Sequence, residues 1–211
     1  MSGARERVDP WALRQRGVED PRVRDAMAAV PRARFVDPDL AGRAAEDGPL
    51  PIGEGQTISQ PLVVALMAQA LELRPADRVL EVGAGSGYAA AVLGRLAARV
   101  DAVEVREALA LRAAENLAAA GVGNVTVHAV DGTGGWPPGA PYDAISVAAG
   151  ARAVPPALLE QLAPGGRLVM PLGRRPERQR LVRIRRAEDG EDHLEDLGIP
   201  VRFVPLVSPE D

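Results

Sequence analysis

Val79-Leu80-Glu81-Val82-Gly83-Ala84-Gly85-Ser86-Gly87-Tyr88 decides how the chain folds. A short apolar run carries one acidic residue and breaks into alternating glycines, and a helical pattern follows over residues 88–98. Strand, glycine turn and helix in that order bring bare backbone against a nucleotide-like ligand. Glycine serves there because a Cβ would block the approach or forbid the turn. A tight strand-to-helix connection would use the same residues, so the turn alone leaves both readings open. The spacing narrows the ligand. A dinucleotide fingerprint puts its third small residue three positions after the second glycine. Here that position is Tyr88, and glycine falls at Gly87 instead.

Outward from this turn the pattern alternates. Residues 99–105 read as a strand, 107–120 as a helix, 125–130 and 142–147 as strands, and 155–162 as a helix. Gly165-Gly166 then turns into a strand at 167–171. Strands alternating with helices predict a parallel sheet covered on both faces. The tail differs: 180–186 and 194–206 are strand-like runs with no helix between them, and Asp189-Gly190 is a hairpin signal. Towards the N-terminus, 11–16 and 21–30 read as short helices, the second opened by Asp20 as N-cap and Pro21 at its first position. Residues 31–60 are punctuated by Gly and Pro and show little periodicity. A loop of that length in a compact domain is usually functional. Gln60-Pro61 opens a further helix reaching about residue 73. The expectation is one α/β domain over 1–211. Residues 1–60 supply helices and a lid loop; residues 61–211 supply a Rossmann-like core, mostly parallel with an antiparallel C-terminal hairpin.

Composition excludes several chemistries. The 211 residues, 46% hydrophobic and 26% charged, suffice for one sizeable core. With no Cys, disulfides, thiolate catalysis and Cys metal sites are excluded. Every basic residue is Arg, which excludes Schiff-base chemistry and a Walker lysine. His128 and His193 are far apart in sequence, so no metal site is expected. A net charge of −4 gives no electrostatic case for nucleic acid. No apolar run reaches a membrane span, the longest, 62–71, being interrupted by Gln69; no signal-peptide core is visible. A cytoplasmic monomer without nucleic-acid or membrane partners is the expectation. The one basic cluster, 174–186, reads as a solvated strand and loop.

Two carboxylates complete a constellation with the glycine turn. Glu104 closes the next strand about twenty residues after the turn, where an acidic residue accepts from ribose hydroxyls. Asp131, followed by Gly132, closes the third strand and could accept from an adenine amino group. An exposed strand end and a turn-forming Asp-Gly are the plain alternatives. All three features fall at carboxyl ends of consecutive strands, where open α/β sheets bind ligands.

The turn with its preceding acid, E-x-G-x-G-x-G over 81–87, resembles motif I of S-adenosylmethionine-dependent methyltransferases. Tyr142-Asp143-Ala144-Ile145-Ser146-Val147 resembles their fourth-strand motif, and Leu162-Ala163-Pro164-Gly165-Gly166-Arg167-Leu168-Val169 their L-x-P-G-G-x-L-V turn. The loop Asp47-Gly48-Pro49-Leu50-Pro51-Ile52-Gly53-Glu54-Gly55-Gln56-Thr57-Ile58-Ser59-Gln60-Pro61 closely resembles the signature of the protein-L-isoaspartate O-methyltransferases. Val30-Pro31-Arg32-Ala33-Arg34-Phe35-Val36 is similar to that family's V-P-R-x-x-F-V, and Arg202-Phe203-Val204-Pro205-Leu206 to its F-V-P-L stretch. The resemblance runs from about Arg14 to Val207. The segment from Gln56 to Pro61 is specific; the methyltransferase motifs are widely shared. Ala44 and Ala45 depart from the family's frequent aromatic residue, and Val130 from its usual Gly.

The resemblance implies a class I methyltransferase sheet, S-adenosyl-L-methionine as methyl donor with S-adenosyl-L-homocysteine as product, and no metal. It implies transfer to the free carboxylate of L-isoaspartyl residues in damaged proteins and peptides, which starts their repair. Gln56, Thr57 and Ile58 should cover the cofactor. Gly83, Gly85, Ser86 and Gly87 should meet its methionine part, Glu104 the ribose, and Asp131 and Gly132 the adenine. Ser59 should position the substrate carboxylate, and Ile58, Val204, Pro205 and Leu206 should line the peptide groove. Ser59 could instead cap the helix after it, and 204–206 could be edge-strand core. Three other readings stay open: a related enzyme acting on aspartate in a modified peptide or on a small acid, a nicotinamide-dependent dehydrogenase, and a non-catalytic module that holds the cofactor. Tyr88 and the missing lysine weigh against the dehydrogenase.

Overall fold

The computed structural model describes residues 8–207. Its centre is a seven-stranded sheet in the order β5-β4-β3-β6-β7-β8-β9. The strands are β3 (Arg78–Val82), β4 (Arg99–Glu104), β5 (Val125–Ala129), β6 (Tyr142–Val147), β7 (Leu162–Leu172), β8 (Gln179–Arg186) and β9 (Asp192–Val201). β5 to β7 through β4, β3 and β6 pair in parallel; β8 is antiparallel to both β7 and β9. The expected mostly parallel sheet with a C-terminal hairpin is therefore present.

Alternation along the strands divides the core. Val79, Val100, Ala102, Ala144 and Val169 face one side and pack with the N-terminal helices. Leu80, Val82, Val103, Ile145 and Leu168 face the other, with α6 (Pro156–Glu160). The near-continuous apolar strands are what a sheet buried on both faces requires. α1 (Pro10–Gln15) and α2 (Pro21–Ala29) each start at an Asp whose carboxylate accepts a backbone N–H two residues on, with Pro at the first position. α3 (Pro61–Ala70) is apolar on nearly every side and correspondingly buried.

Several boundaries differ from the sequence expectation for identifiable reasons. α4 (Tyr88–Gly94) stops four residues short of 98. The Asn124 amide takes up the carbonyls of Gly94 (2.8 Å), Ala97 (3.1 Å) and Ala98 (3.3 Å), ending the helix from outside. α5 (Glu107–Ala119) matches its expectation within a residue. The helix expected over 155–162 is shorter because Leu162 already pairs with Tyr142. Ala144 then pairs with Arg167, so the Gly165-Gly166 turn survives as a bulge inside β7. The run expected to 206 leaves the sheet after Val201. There the buried Gln179 side chain accepts from Phe203 N (2.7 Å) and donates to Phe203 O (3.3 Å), replacing strand pairing. Residues 31–60 are not a plain loop: β1 (Leu50–Gly53) and β2 (Gln56–Ile58) form a hairpin. Among the described residues no helix is long and apolar enough to cross a membrane.

Candidate active site

The chain runs from β3 outward through β4 and β5, then returns to β6 on the other side of β3. That reversal leaves a crevice at the strands' carboxyl ends. A cavity of about 330 Å³ opens there. The turn after β3, the end of β4 at Glu104–Arg106, Gly132, Ala148-Ala149 after β6, residues 55–59 from the hairpin onward and residues 204–207 line it. The separate sequence expectations for Gln56, Thr57, Ile58, Ser59, Gly83, Gly85, Ser86, Glu104, Gly132, Val204, Pro205 and Leu206 thus meet in one place.

Backbone conformation explains the glycines of the turn. Gly83, Gly85 and Gly87 have φ of 90°, 54° and 87°, a region other residues enter at a cost. A Cβ on Gly87 would come within 3.2 Å of the Ala113 carbonyl oxygen and Leu117, so Gly87 also lets α4 seat on α5, and it is not among the cavity residues. Asp131 does not line the cavity either. Its Oδ1 accepts from Thr133 N (2.8 Å) and Thr133 Oγ1 (2.7 Å), closing a turn that presents Gly132. A Cβ on Gly132 would lie 2.6 Å from Val82 Cγ1, so that loop can sit down on β3 only as glycine.

Glu104 is buried, yet both its oxygens are engaged: Oε2 accepts from Gly85 N (2.8 Å) and Oε1 from Arg106 N (3.0 Å). These bonds fix the carboxylate beneath the glycine turn. Each oxygen keeps further lone-pair capacity, enough for two vicinal hydroxyls. Nearby, Ser86 Oγ and both Glu81 oxygens are buried without a hydrogen-bond partner among the described residues. Burial, and secondarily the Glu104 charge, raises the Glu81 carboxyl well above the usual carboxylate range. Ser86 lines the cavity, where a ligand with its own polar groups would satisfy its hydroxyl, whereas Glu81 on β3 does not line it. The Glu104 acceptors and the Ser86 hydroxyl fit S-adenosylmethionine.

Ser59 sits between β2 and α3, lines the cavity, and its hydroxyl has no hydrogen-bond partner among the described residues. It does not cap α3. Asp47 does so from a distance, accepting from Leu62 N (3.1 Å) while also pairing with Arg16 and Gln60. The Ser59 carbonyl is held by Arg32 Nη2 (3.0 Å). Arg32 is completely buried, and among the described residues no carboxylate pairs with it. It also donates to the carbonyls of Ala44 (3.0 Å), Glu46 (3.4 Å) and Gly48 (2.8 Å), gathering the segment that precedes the hairpin. Burial lowers the Arg32 pKa from its ordinary value, but guanidinium stays charged throughout the ordinary pH range. Tyr88, at the position that breaks the dinucleotide fingerprint, lies under this guanidinium at 5.9 Å and packs edge-on to Phe35.

Sequence reasoning missed Arg32, Asp47, Tyr88, Arg106 and the Ala148-Ala149 segment. Arg32 stood inside the V-P-R stretch, and Asp47 opened the signature loop, so a signal existed for both. Nothing in the sequence marked Ala148-Ala149, which reach the cavity by following β6.

The family model for protein-L-isoaspartate(D-aspartate) O-methyltransferase matches residues 10–211. A protein-L-isoaspartate O-methyltransferase 1 of Rhodopseudomonas palustris is 54% identical over 210 residues, covering 100% of this chain and 85% of the relative. One from a Roseiflexus species is 57% identical over 195 residues, covering 92% and 88%. A solved protein-L-isoaspartate O-methyltransferase superposes with a TM-score of 0.80 at 29% identity, over 94% of this chain and 65% of its own. A Plasmodium falciparum structure assigned to that enzyme class, solved with S-adenosyl-L-homocysteine, shares the fold with a TM-score of 0.79 at 24% identity, over 94% and 96%. With the family model spanning nearly the whole length and close relatives matching end to end, the chain belongs to the protein-L-isoaspartate(D-aspartate) O-methyltransferase family.

Proposed function

We propose that this chain transfers a methyl group from S-adenosyl-L-methionine to the free carboxylate of L-isoaspartyl residues in damaged proteins and peptides. The observation that carries the reading is the unengaged Ser59 hydroxyl in the same cavity as Glu104 and the glycine turn. The bound cofactor supplies an electrophilic methyl on a sulfonium. Glu104 binds the ribose hydroxyls, Ser86 Oγ meets the methionine end, and Gln56, Thr57 and Ile58 keep water from the reacting centre. Gly132 borders the adenine, and Asp131 serves it by fixing that loop. Ser59 donates to one oxygen of the substrate carboxylate and leaves the other directed at the methyl. Ile58 and Val204–Leu206 hold the flanking peptide.

No general base is assigned, because a carboxylate with a pKa near ~4 is already ionised at neutral pH. Orientation and preorganised dipoles then supply most of the acceleration. A single domain is part of the proposal, supported by Arg112 on α5, which binds Ile52 O (3.1 Å) and Asp37 (2.5 Å) and ties the hairpin segment to the core. A monomer in the cytoplasm is the accompanying proposal, supported by a cysteine-free, net-acidic chain. The test is transfer of labelled methyl from S-adenosylmethionine to an isoaspartyl peptide. Base-labile label in the peptide supports the reading; cofactor binding without any transfer overturns it.

A further inference from the structure

The arginine cluster at 174–186 divides into halves that meet different surroundings. On β8, Arg180 pairs with Asp196, Arg183 with Glu72 and Glu195, Arg185 with Glu72, and Arg186 with Asp192. Arg174, Arg175 and Arg178, which precede β8, are exposed and have no ion-pair partner among the described residues. Arg152 is exposed and unpaired in the same way. Glu177, the acid in this stretch, faces Arg202 at 4.0 Å.

The backbone gathers these cations beside the cavity. Ala151 bridges to Leu172, and Gly173 N donates to Ala151 O (2.9 Å), so Arg152 and Arg174 leave from two sides of one bridge. The preceding residue of the same loop, Gly150, donates to Val204 O and accepts from Leu206 N, both at 2.8 Å. Ala149 and 204–206 line the cavity. Arg152 and Arg174 are thus contiguous in the backbone with the wall assigned to the substrate peptide, and Arg175 follows Arg174 in the chain. On a chain of net charge −4, a cationic rim at a cleft draws anions to that cleft.

We propose that this rim receives acidic side chains flanking the isoaspartyl residue, so that the protein favours damage sites in acidic sequence. The inference rests on the methyl-transfer reading above. Three extended residues span roughly 10 Å, which sets the reach of flanks within two or three positions of the acceptor. Exposed ion pairs are individually weak and salt-screened. The effect should therefore fall on KM rather than kcat, and it should be modest.

The experiment uses three short isoaspartyl peptides alike except for flanking Glu, Ala or Arg pairs. Methylation kinetics are measured at low and high salt. Binding of each peptide to protein loaded with S-adenosylhomocysteine is measured separately by fluorescence anisotropy. The Glu peptide should show a KM roughly three- to tenfold below that of the Ala peptide at low salt, with the Arg peptide above both. High salt should compress the series. Arg174→Gln with Arg175→Gln should move the Glu peptide to the Ala peptide's KM. Equal or reversed KM and binding across the series, or an acidic preference retained in the double variant, overturns the proposal. If no peptide is methylated, the methyl-transfer reading fails, and anisotropy still decides the rim: acidic preference there supports it and its absence overturns it.

Discussion

Ser59 and Arg32 divide the work at one short junction of chain. Because the Ser59 hydroxyl holds nothing in the fold, Ser59→Ala should leave the melting temperature within a degree or so while lowering kcat by about tenfold or more, since an orienting hydrogen bond acts in the transition state. S-adenosylhomocysteine affinity should stay unchanged by calorimetric titration. A lowered melting temperature with normal turnover would make Ser59 a structural residue. Arg32→Met should do the reverse of a surface change. It leaves the carbonyls of Ala44, Gly48 and Ser59 without this donor, Glu46 O keeping its bond from Gly48 N (2.9 Å), a loss of roughly 3 kcal/mol or more, readable by denaturant unfolding. At Glu104, removal of the whole carboxylate would also strand Gly85 N and Arg106 N. Glu104→Gln is the cleaner probe. Its amide keeps one acceptor but turns an N–H towards the other backbone donor, so it should weaken S-adenosylhomocysteine binding by about 1–3 kcal/mol and lower the unfolding free energy of the free protein by a similar amount, less than full truncation.

Elements were legible where local chemistry fixes them and obscure where a distant side chain ends them. The Asp20-Pro21 start of α2 and the apolar strands β3, β4 and β6 could be read directly, since caps and runs are local signals, while the same signal at Asp9-Pro10, which starts α1, was passed over. The ends of α4 and β9 depend on Asn124 and Gln179, which reach them from elsewhere in the chain. The β1–β2 hairpin has strands of four and three residues joined through positive-φ Gly53, Glu54 and Gly55, too short for alternation to show. The β8–β9 turn carries its own expectation. Asp-Gly sites form isoaspartate when the glycine nitrogen can attack the carboxyl. Asp47 is engaged by Arg16, Gln60 and Leu62 N, and Asp131 by Thr133. Asp189 accepts a single bond, from Glu191 N at 3.1 Å, in an exposed turn. Gly190 N, which donates to Ala187 O at 3.0 Å, slows the attack without preventing it. Aged protein supplied with labelled cofactor should therefore carry label at Asp189. Mapping after digestion checks this, and label mainly at Asp47 or Asp131 would contradict it.

At the scale of the molecule, the site exists because the strand order reverses at β3 and brings distant segments over one crevice. The glycine turn, Glu104 and Gly132 could be assigned from sequence because each follows a strand at its carboxyl end. Their common cavity with Ser59 and 204–206 came through resemblance, since nothing local tells that residues 59 and 205 meet. The partition of the arginine cluster was invisible for the same reason: whether Arg183 or Arg174 finds a carboxylate depends on what lies across the sheet. The central claim is that this assembled cavity methylates an isoaspartyl carboxylate in preference to an ordinary one. A one-pot competition measures it most directly: isoaspartyl and aspartyl isomers of one peptide, mixed equally with enzyme and S-adenosylmethionine, followed by chromatography. The isoaspartyl isomer should be consumed while the aspartyl isomer remains. Equal consumption of both, or consumption of the aspartyl isomer first, would contradict it.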